Sequence, residues 1–275
     1  RDVERSRGLG DVYKRQVIDN FLVFKFWAGE QLAYMMPVGS GDLKAILREL
    51  IEDADKEKHN FCMLGVCSNM RADLEAILPG QFTFTENRDY ADYIYLRSDL
   101  ATLKGKKFQA KRNHINRFRN TYPDYEYTPI TPDRIQECLD LEAEWCKVNN
   151  CDQQEGTGNE RRALIYALHN FEALGLTGGI LHVNGKIVAF TFGMPINHET
   201  FGVHVEKADT NIDGAYAMIN NEFANHIPEQ YIYINREEDL GLEGLRKAKL
   251  SYQPVTILEK YMACLKDHPM DIIRW

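Results

Sequence analysis

Asn184-Gly185 stands between two runs of β-forming residues, Gly178 to Val183 and Lys186 to Pro195, and no other feature constrains the fold as strongly. A two-residue turn of this kind needs positive φ at both positions, which Asn and Gly tolerate, and it closes an antiparallel hairpin in a fixed register. Thr200 to Lys207 adds a third strand to a meander. Upstream, Tyr125 to Thr128 reads as a strand. Thr131-Pro132-Asp133 then gives an N-cap followed by Pro at the first helical position, opening a helix through Ile135, Leu139, Glu142 and Trp145. Asn159 to Leu174 reads as a second helix, with Ala163, Leu164, Ala167, Leu168 and Phe171 on one face. Downstream come a helix from Gly214 to His226, a strand from Gln230 to Ile234, a helix near Gly241 to Leu250 and a strand from Val255 to Cys264. The expected order is β-α-α-β-β-β-α-β-α-β.

The first part of the chain repeats the theme in shorter form. Val17 to Trp27 and Gln31 to Pro37 read as a hairpin about Ala28-Gly29-Glu30. After Ser40-Gly41-Asp42, Leu43, Ile46, Leu47, Leu50, Ile51 and Ala54 recur at spacings of three and four, which predicts an amphipathic helix. Phe61 to Val66 predicts a strand, Met70 to Leu78 a short helix and Tyr90 to Leu96 another strand. Residues 1–16 are set aside as a charged, non-native leader. The domains expected are therefore 17–103 and 123–267, joined by a helix over 104–122 and followed by a tail, 268–275.

That joining stretch departs from the rest of the chain. Lys104, Lys106, Lys107, Lys111, Arg112, Arg117 and Arg119 give Lys104 to Arg119 a charge of +7 with no acid, in a chain whose net charge is −8. A uniformly basic nucleic-acid-binding surface is excluded, whereas a local basic face is not. Phe108, Ile115 and Phe118 form an apolar stripe, and Arg112, Asn116 and Arg119 share another face. No apolar run approaches the roughly 20 residues that span a bilayer. The six cysteines have no CxxC spacing, so reduced thiols, a cytoplasmic setting and no metal site are expected.

Two long stretches, Gly105 to Tyr127 (GKKFQAKRNHINRFRNTYPDYEY) and Tyr231 to Val255 (YIYINREEDLGLEGLRKAKLSYQPV), resemble the DUF2156 family, related to the C-terminal domain of phosphatidylglycerol lysyltransferases. The resemblance implies an α/β fold of mixed sheets: tandem GNAT-like acyltransferase domains with the N-terminal copy shortened. It also implies transfer of an aminoacyl group from an aminoacyl-tRNA-like donor to an amine or hydroxyl of a small molecule, peptide or lipid, with no tightly bound cofactor. Alternatives are an acyl-CoA-dependent N-acetyltransferase and a non-catalytic module that binds tRNA or another polyanion. Lipid-modifying relatives carry a transmembrane region, and no such run occurs in this sequence.

Acyl transfer needs a cleft, hydrogen-bond donors for an oxyanion and a route for the acceptor's proton. In a GNAT-like fold the donor loop would be Asp209 to Tyr216, with Asn211, Gly214 and Tyr216 as binding candidates, although Asp209 and Asp213 would repel a pyrophosphate. Asn235, Glu237, Glu238 and Asp239 form the densest polar cluster after an expected strand and are the catalytic candidates. Arg236 among them could anchor a phosphate or carboxylate, or be satisfied by its acidic neighbours. Lys249 follows on the next helix, while Lys111, Arg112 and Asn116 are candidates for phosphate contacts. By period-two counting His204 and Glu206 face the same way and could assist proton transfer.

Overall fold

The computed structural model describes residues 14–28, 31–149 and 157–266. The calls on the leader up to residue 13, on Cys151 and on the tail from 268 lie outside the described residues. The fold is mixed α/β, with two mixed sheets in two compact units: Asp92–Ile257, and the flanking segments on either side of it.

The unit built from the flanking segments contains β1 (Lys14–Ile18), β2 (Phe21–Ala28), β3 (Gln31–Met35), β4 (Val38–Gly39), α1 (Leu43–Lys56), β5 (Cys62–Val66), α2 (Ser68–Ile77), β6 (Phe82–Glu86) and β14 (Tyr261–Leu265). Its sheet runs β1-β2-β3-β5-β14-β6, with β4 on β2. The periodic helix forms over Leu43–Lys56, capped by the Asp42 carboxylate, which accepts from the Ala45 amide at 3.2 Å. Ile46, Leu47, Leu50, Ile51 and Ala54 are buried against the sheet. Each of the Ile and Leu side chains contributes about 1.5–3 kcal/mol when removed from water. The expected single run from Val17 is broken, because Asp19 and Asn20 adopt positive φ (43° and 67°) and make a tight turn between β1 and β2.

The chain divides at 91/92 and 257/258, where boundaries were expected at 103 and 122. Two pairings cause the difference. β7 (Asp92–Leu96) pairs with a strand of the second unit, and the expected last strand splits into β13 (Thr256–Leu258) and β14, which run in different sheets. Alternation of side chains says that a segment is a strand; it does not say which sheet receives it.

The return of β14 also corrects the expectation of reduced thiols. Cys264 sits opposite Cys62 in the antiparallel β5/β14 pair, and the two form a disulfide across 202 residues of sequence. Cysteines brought together by strand pairing leave no spacing signature. Cys138 and Cys146 are buried thiols. We expect reductant to lower the stability of the wild-type protein by about 3 kcal/mol, from the lost constraint on the unfolded chain. Thermal melts with and without reductant check this. Reductant should leave a Cys62→Ala/Cys264→Ala variant unchanged, and an equal response from that variant would show that the disulfide contributes nothing.

The second unit continues from β7 with α3 (Arg97–Thr102), α4 (Gln109–Thr121), β8 (Glu126–Pro129), α5 (Ile135–Asn149), α6 (Thr157–His169), β9 (Thr177–Val183), β10 (Lys186–Pro195), β11 (Thr200–Ala208), α7 (Ala215–His226), β12 (Tyr233–Asn235) and α8 (Glu243–Leu250). Asn184 and Gly185 close the β9/β10 hairpin at φ 52° and 74°. The sheet order is β13-β7-β12-β11-β10-β9-β8. Successive residues of β9 point to opposite cores: Leu181 packs with Phe118, Met218 and Phe223, and Ile180 with Leu141, Leu164 and Phe171. Helices therefore cover both faces of the sheet. The basic helix belongs to this unit, since Phe108, Ile115 and Phe118 are buried in its core. No described helix is long and apolar enough to cross a membrane.

Candidate functional site

The site is set by where two strands part. β11 and β12 pair in parallel only over Thr200↔Tyr233, Phe201↔Ile234 and Gly202↔Asn235, after which β11 continues to Ala208 and the other chain turns away. Two side-chain bridges cross the gap. His204 Nδ1 lies 2.6 Å from Glu237 Oε1, and Arg236 donates through Nη2 to Glu206 Oε1 at 2.9 Å. The expected common direction of His204 and Glu206 is lost: the pairing with β10 steps from Phe192↔Val205 to Gly193↔Val203, so Val203 and Val205 pack in opposite cores and the alternation breaks at His204, and each of the two side chains is bonded to the opposite wall.

The turning loop is built from the residues Asn235 to Asp239. Asn235 Oδ1 accepts from the Glu237 amide at 2.7 Å, and Asp239 Oδ1 accepts from the Gly241 amide at 2.9 Å. Such side-chain-to-backbone turns are what Asn and Asp favour. Glu237 takes φ 58°, and Lys249 from α8 holds the result in place. Its ammonium donates to the carbonyls of Arg236 (2.6 Å), Glu237 (3.1 Å) and Glu238. Burial, and then the nearby Arg236 charge, push Lys249 down to about 8. Lys249 thus positions the loop instead of facing a substrate.

Asp239 is likewise committed. Its side chain is wholly buried and accepts from Tyr93 Oη (2.5 Å) and from Arg246 Nε and Nη2 (both 2.8 Å). The Arg246 bonds, with Tyr93 and the Gly241 amide, hold its carboxyl far below the usual carboxylate range. A carboxylate so bound has no proton to exchange near neutral pH. Asn235 is buried and donates to Asp92 Oδ2 at 3.0 Å. Of the four catalytic candidates, Glu237 is the one bridged to a histidine across the gap; Glu238 contributes its carbonyl to Lys249.

Arg236 is the centre of the gap. Its side chain is 11% exposed and lies over the rings of Tyr95 (5.7 Å) and Tyr252 (4.9 Å). The acidic neighbours do not satisfy it; Glu206, thirty residues away, does. Burial opposes its charge, but Glu206, with Tyr95 and Tyr252, offsets that and leaves the guanidinium pKa raised. Glu206 Oε2 accepts from the Asn220 amide of α7 at 3.1 Å. Two polar atoms of this cluster, Arg236 Nη1 and Asn220 Oδ1, are buried without a partner among the described residues. Lys111 of α4 joins them, with its ammonium 4.0 Å from the Tyr252 ring centroid. Burial first, then Arg236, push Lys111 down to about 8 against the opposing pull of Glu206.

The other basic residues have different work. Arg112 donates to the carbonyls of Leu103 and Gly105 (2.7 Å for the latter) and to Gln109 Oε1 (2.8 Å), capping the helix entry. Arg117 binds Asp213 at 2.6 Å, Arg119 approaches Glu222 at 3.5 Å and Lys107 binds Asp99 at 2.8 Å. Asn116 is exposed on α4. Three of the seven basic side chains in this stretch, Lys107, Arg117 and Arg119, are therefore paired with acids of their own unit.

The expected donor loop packs on α4 at Gly214. Gly214 has φ 85°, and a Cβ there would lie 2.8 Å from the His114 carbonyl oxygen and 3.1 Å from Phe118 Cβ. Asn211 bonds Asp209 through both its amide groups, at 2.8 and 2.9 Å. Tyr216 Oη accepts from Trp145 Nε1 at 2.9 Å. Among the described residues no three His, Cys, Asp or Glu side chains converge as metal ligands.

Comparison with known proteins gives the family. Residues 7–264 match the family described as "Phosphatidylglycerol lysyltransferase, C-terminal". The chain belongs to that family. It is an acyltransferase family, related in fold to lysylphosphatidylglycerol synthases. A crystal structure of a conserved protein of unknown function from Bacteroides thetaiotaomicron VPI-5482 is 93% identical, with a TM-score of 0.89 over 92% of this chain and 86% of that one. L-PGS from Bacillus licheniformis shares the fold at 17% identity, with a TM-score of 0.66 over 95% and 86% of the two chains. The uncharacterized protein MYCGA3080 of Mycoplasmoides gallisepticum is 26% identical over 175 residues, and this chain spans 55% of its length.

Sequence reasoning selected Arg236 and Lys111 and named Glu206 as a partner of His204, not of Arg236; Tyr95, Asn220 and Tyr252 were left out of the site, because packing between distant parts of the chain brings them there.

Proposed function

We propose that this chain transfers an aminoacyl group from an aminoacyl-tRNA-like donor to an amine or hydroxyl, at the gap between β11 and the loop after β12. The observation that carries the reading is the pair of bridges across that gap, a His204–Glu237 couple 33% and 39% exposed beside the buried Arg236–Glu206 pair. With the His204 Nδ1 proton directed at Glu237, Nε2 is left with a lone pair toward solvent, the arrangement of a base oriented by a carboxylate. The acceptor nitrogen or oxygen bonds to the acyl carbon while its proton passes to Nε2. The donor's ester C–O bond then breaks, and its oxygen leaves with that proton. Family membership supports acyl transfer, and L-PGS is an instance of the fold by name.

Two alternatives have less support. Asp209 and Asp213 beside the start of α7 would repel an acyl-CoA pyrophosphate, and the internal pairing of Arg117, Arg119 and Lys107 weakens the polyanion module. Incubation with a pool of charged tRNA and a panel of amine, hydroxyl and lipid acceptors should give transfer. His204→Ala and Glu237→Gln should each lower its rate about 100-fold with unchanged melting temperature. Turnover with acyl-CoA and none with any charged tRNA would sink the reading.

A further inference from the structure

The Arg236 cluster is incompletely satisfied in a specific way. Arg236 Nη1 is a buried donor and Asn220 Oδ1 a buried acceptor, and neither has a partner among the described residues. They flank the same carboxylate, with Glu206 taking one bond from each side chain. The Asn220 orientation follows from chemistry: its amide nitrogen faces Glu206, and a flipped amide would set oxygen against carboxylate. Asn220 is 5% exposed, so its oxygen has little access to bulk water. A buried polar group left in this condition is destabilising until a partner reaches it.

Charge points the same way. Lys111, from α4, has its ammonium on the Tyr252 ring, with no carboxylate in ion-pair contact among the described residues. Glu206 is thus one carboxylate against two inward cations, Arg236 and Lys111. A partly buried excess of positive charge is stabilised by an anion. Arg236 and Glu206 keep 11% and 14% of their side chains exposed, so the cluster meets solvent at the gap.

We propose that Arg236 Nη1, Lys111 Nζ and Asn220 Oδ1 form a subsite for an oxyanion that carries a neighbouring N–H or O–H group. The oxyanion, a carboxylate or a phosphate monoester, lies on Arg236 and Lys111, while the neighbouring donor reaches Asn220. As a statement about substrate class it rests on the transferase reading, but the binding it requires is measurable without turnover. A bound anion also favours protonated Lys111. The charged and titratable groups facing that amine are Arg236, Glu206 and Tyr252, and binding near pH 8 should therefore take up protons.

Calorimetry with N-acetylglycine and with glycerol 3-phosphate tests the proposal, with N-acetylglycinamide and glycerol as uncharged controls. At least one anion should bind, with proton uptake revealed by comparing buffers of different ionisation enthalpy, and the uncharged controls should not. Binding by one anion only identifies the oxyanion as carboxylate or phosphate. Lys111→Met, which keeps the apolar stem on Tyr252, should weaken binding at least tenfold and abolish the uptake; Arg236→Lys should also weaken it. Equal affinity for charged and uncharged probes, or unchanged affinity in Lys111→Met, overturns the subsite. Wild-type protein that turns over yet binds neither anion overturns the subsite and leaves the transferase reading standing. Anion binding by a protein without turnover supports the subsite and removes that reading.

Discussion

Asp239→Asn is expected to destabilise the second unit by about 3–5 kcal/mol, the usual loss when one member of a buried charge pair is removed. The carboxylate is fully buried and receives Tyr93, two nitrogens of Arg246 and the Gly241 amide. Asparagine supplies one acceptor oxygen where two are used, so an Arg246 nitrogen or the Tyr93 hydroxyl is left facing an amide N–H. Because Arg246 and the other donors hold the native pKa well below the ordinary value, the stabilisation is present above the unfolded carboxylate's pKa. It is lost only as pH falls through the lower, folded value. The check is urea unfolding at pH 7, followed by tryptophan fluorescence, with turnover measured well below the transition. A variant as stable as wild type but without turnover would return Asp239 to the chemistry.

How much of this was legible in sequence depends on the range of the interaction. Local periodicity placed the helix at Leu43–Lys56 and the Asn184-Gly185 hairpin, because the information lies within a few residues. β6 passed unnoticed, being a short edge strand, Phe82–Glu86, with two polar threonines. The loop from Asn235 to Asp239 was visible as a dense polar cluster, yet its chemistry was not. Which acid meets Arg236 depends on β11 and β12 lying side by side, and that pairing brings Glu206 from thirty residues upstream. Tyr95 comes from further still, through the β7/β12 pairing. On the basic helix one step of about 100° separates two fates. Lys111 turns toward Tyr252, and Arg112 turns back to carbonyls at the helix entry.

Gly214→Ala should lower the melting temperature by roughly 6–12 °C with no ligand present, from a loss of about 3 kcal/mol in a domain of this size. The estimate has two parts. A non-glycine residue held at φ 85° occupies the left-handed region, which costs about 1–2 kcal/mol. The added methyl also stands 2.8 Å from the His114 carbonyl oxygen, so α4 and α7 must separate. Overpacking of that kind costs about 1–3 kcal/mol. Relaxation by moving α4 would also carry Lys111 away from Tyr252, so transfer should fall along with stability. The measurement decides between two uses of one glycine. A glycine that serves helix contact shows its loss in the free protein, whereas one that admits a donor pyrophosphate shows it in ligand affinity. Melts of wild type and variant, each with and without acetyl-CoA, separate these. An unshifted melt for free Gly214→Ala, with acetyl-CoA stabilising wild type alone, would restore the acyl-CoA reading and move the donor site from the Arg236 gap to the start of α7.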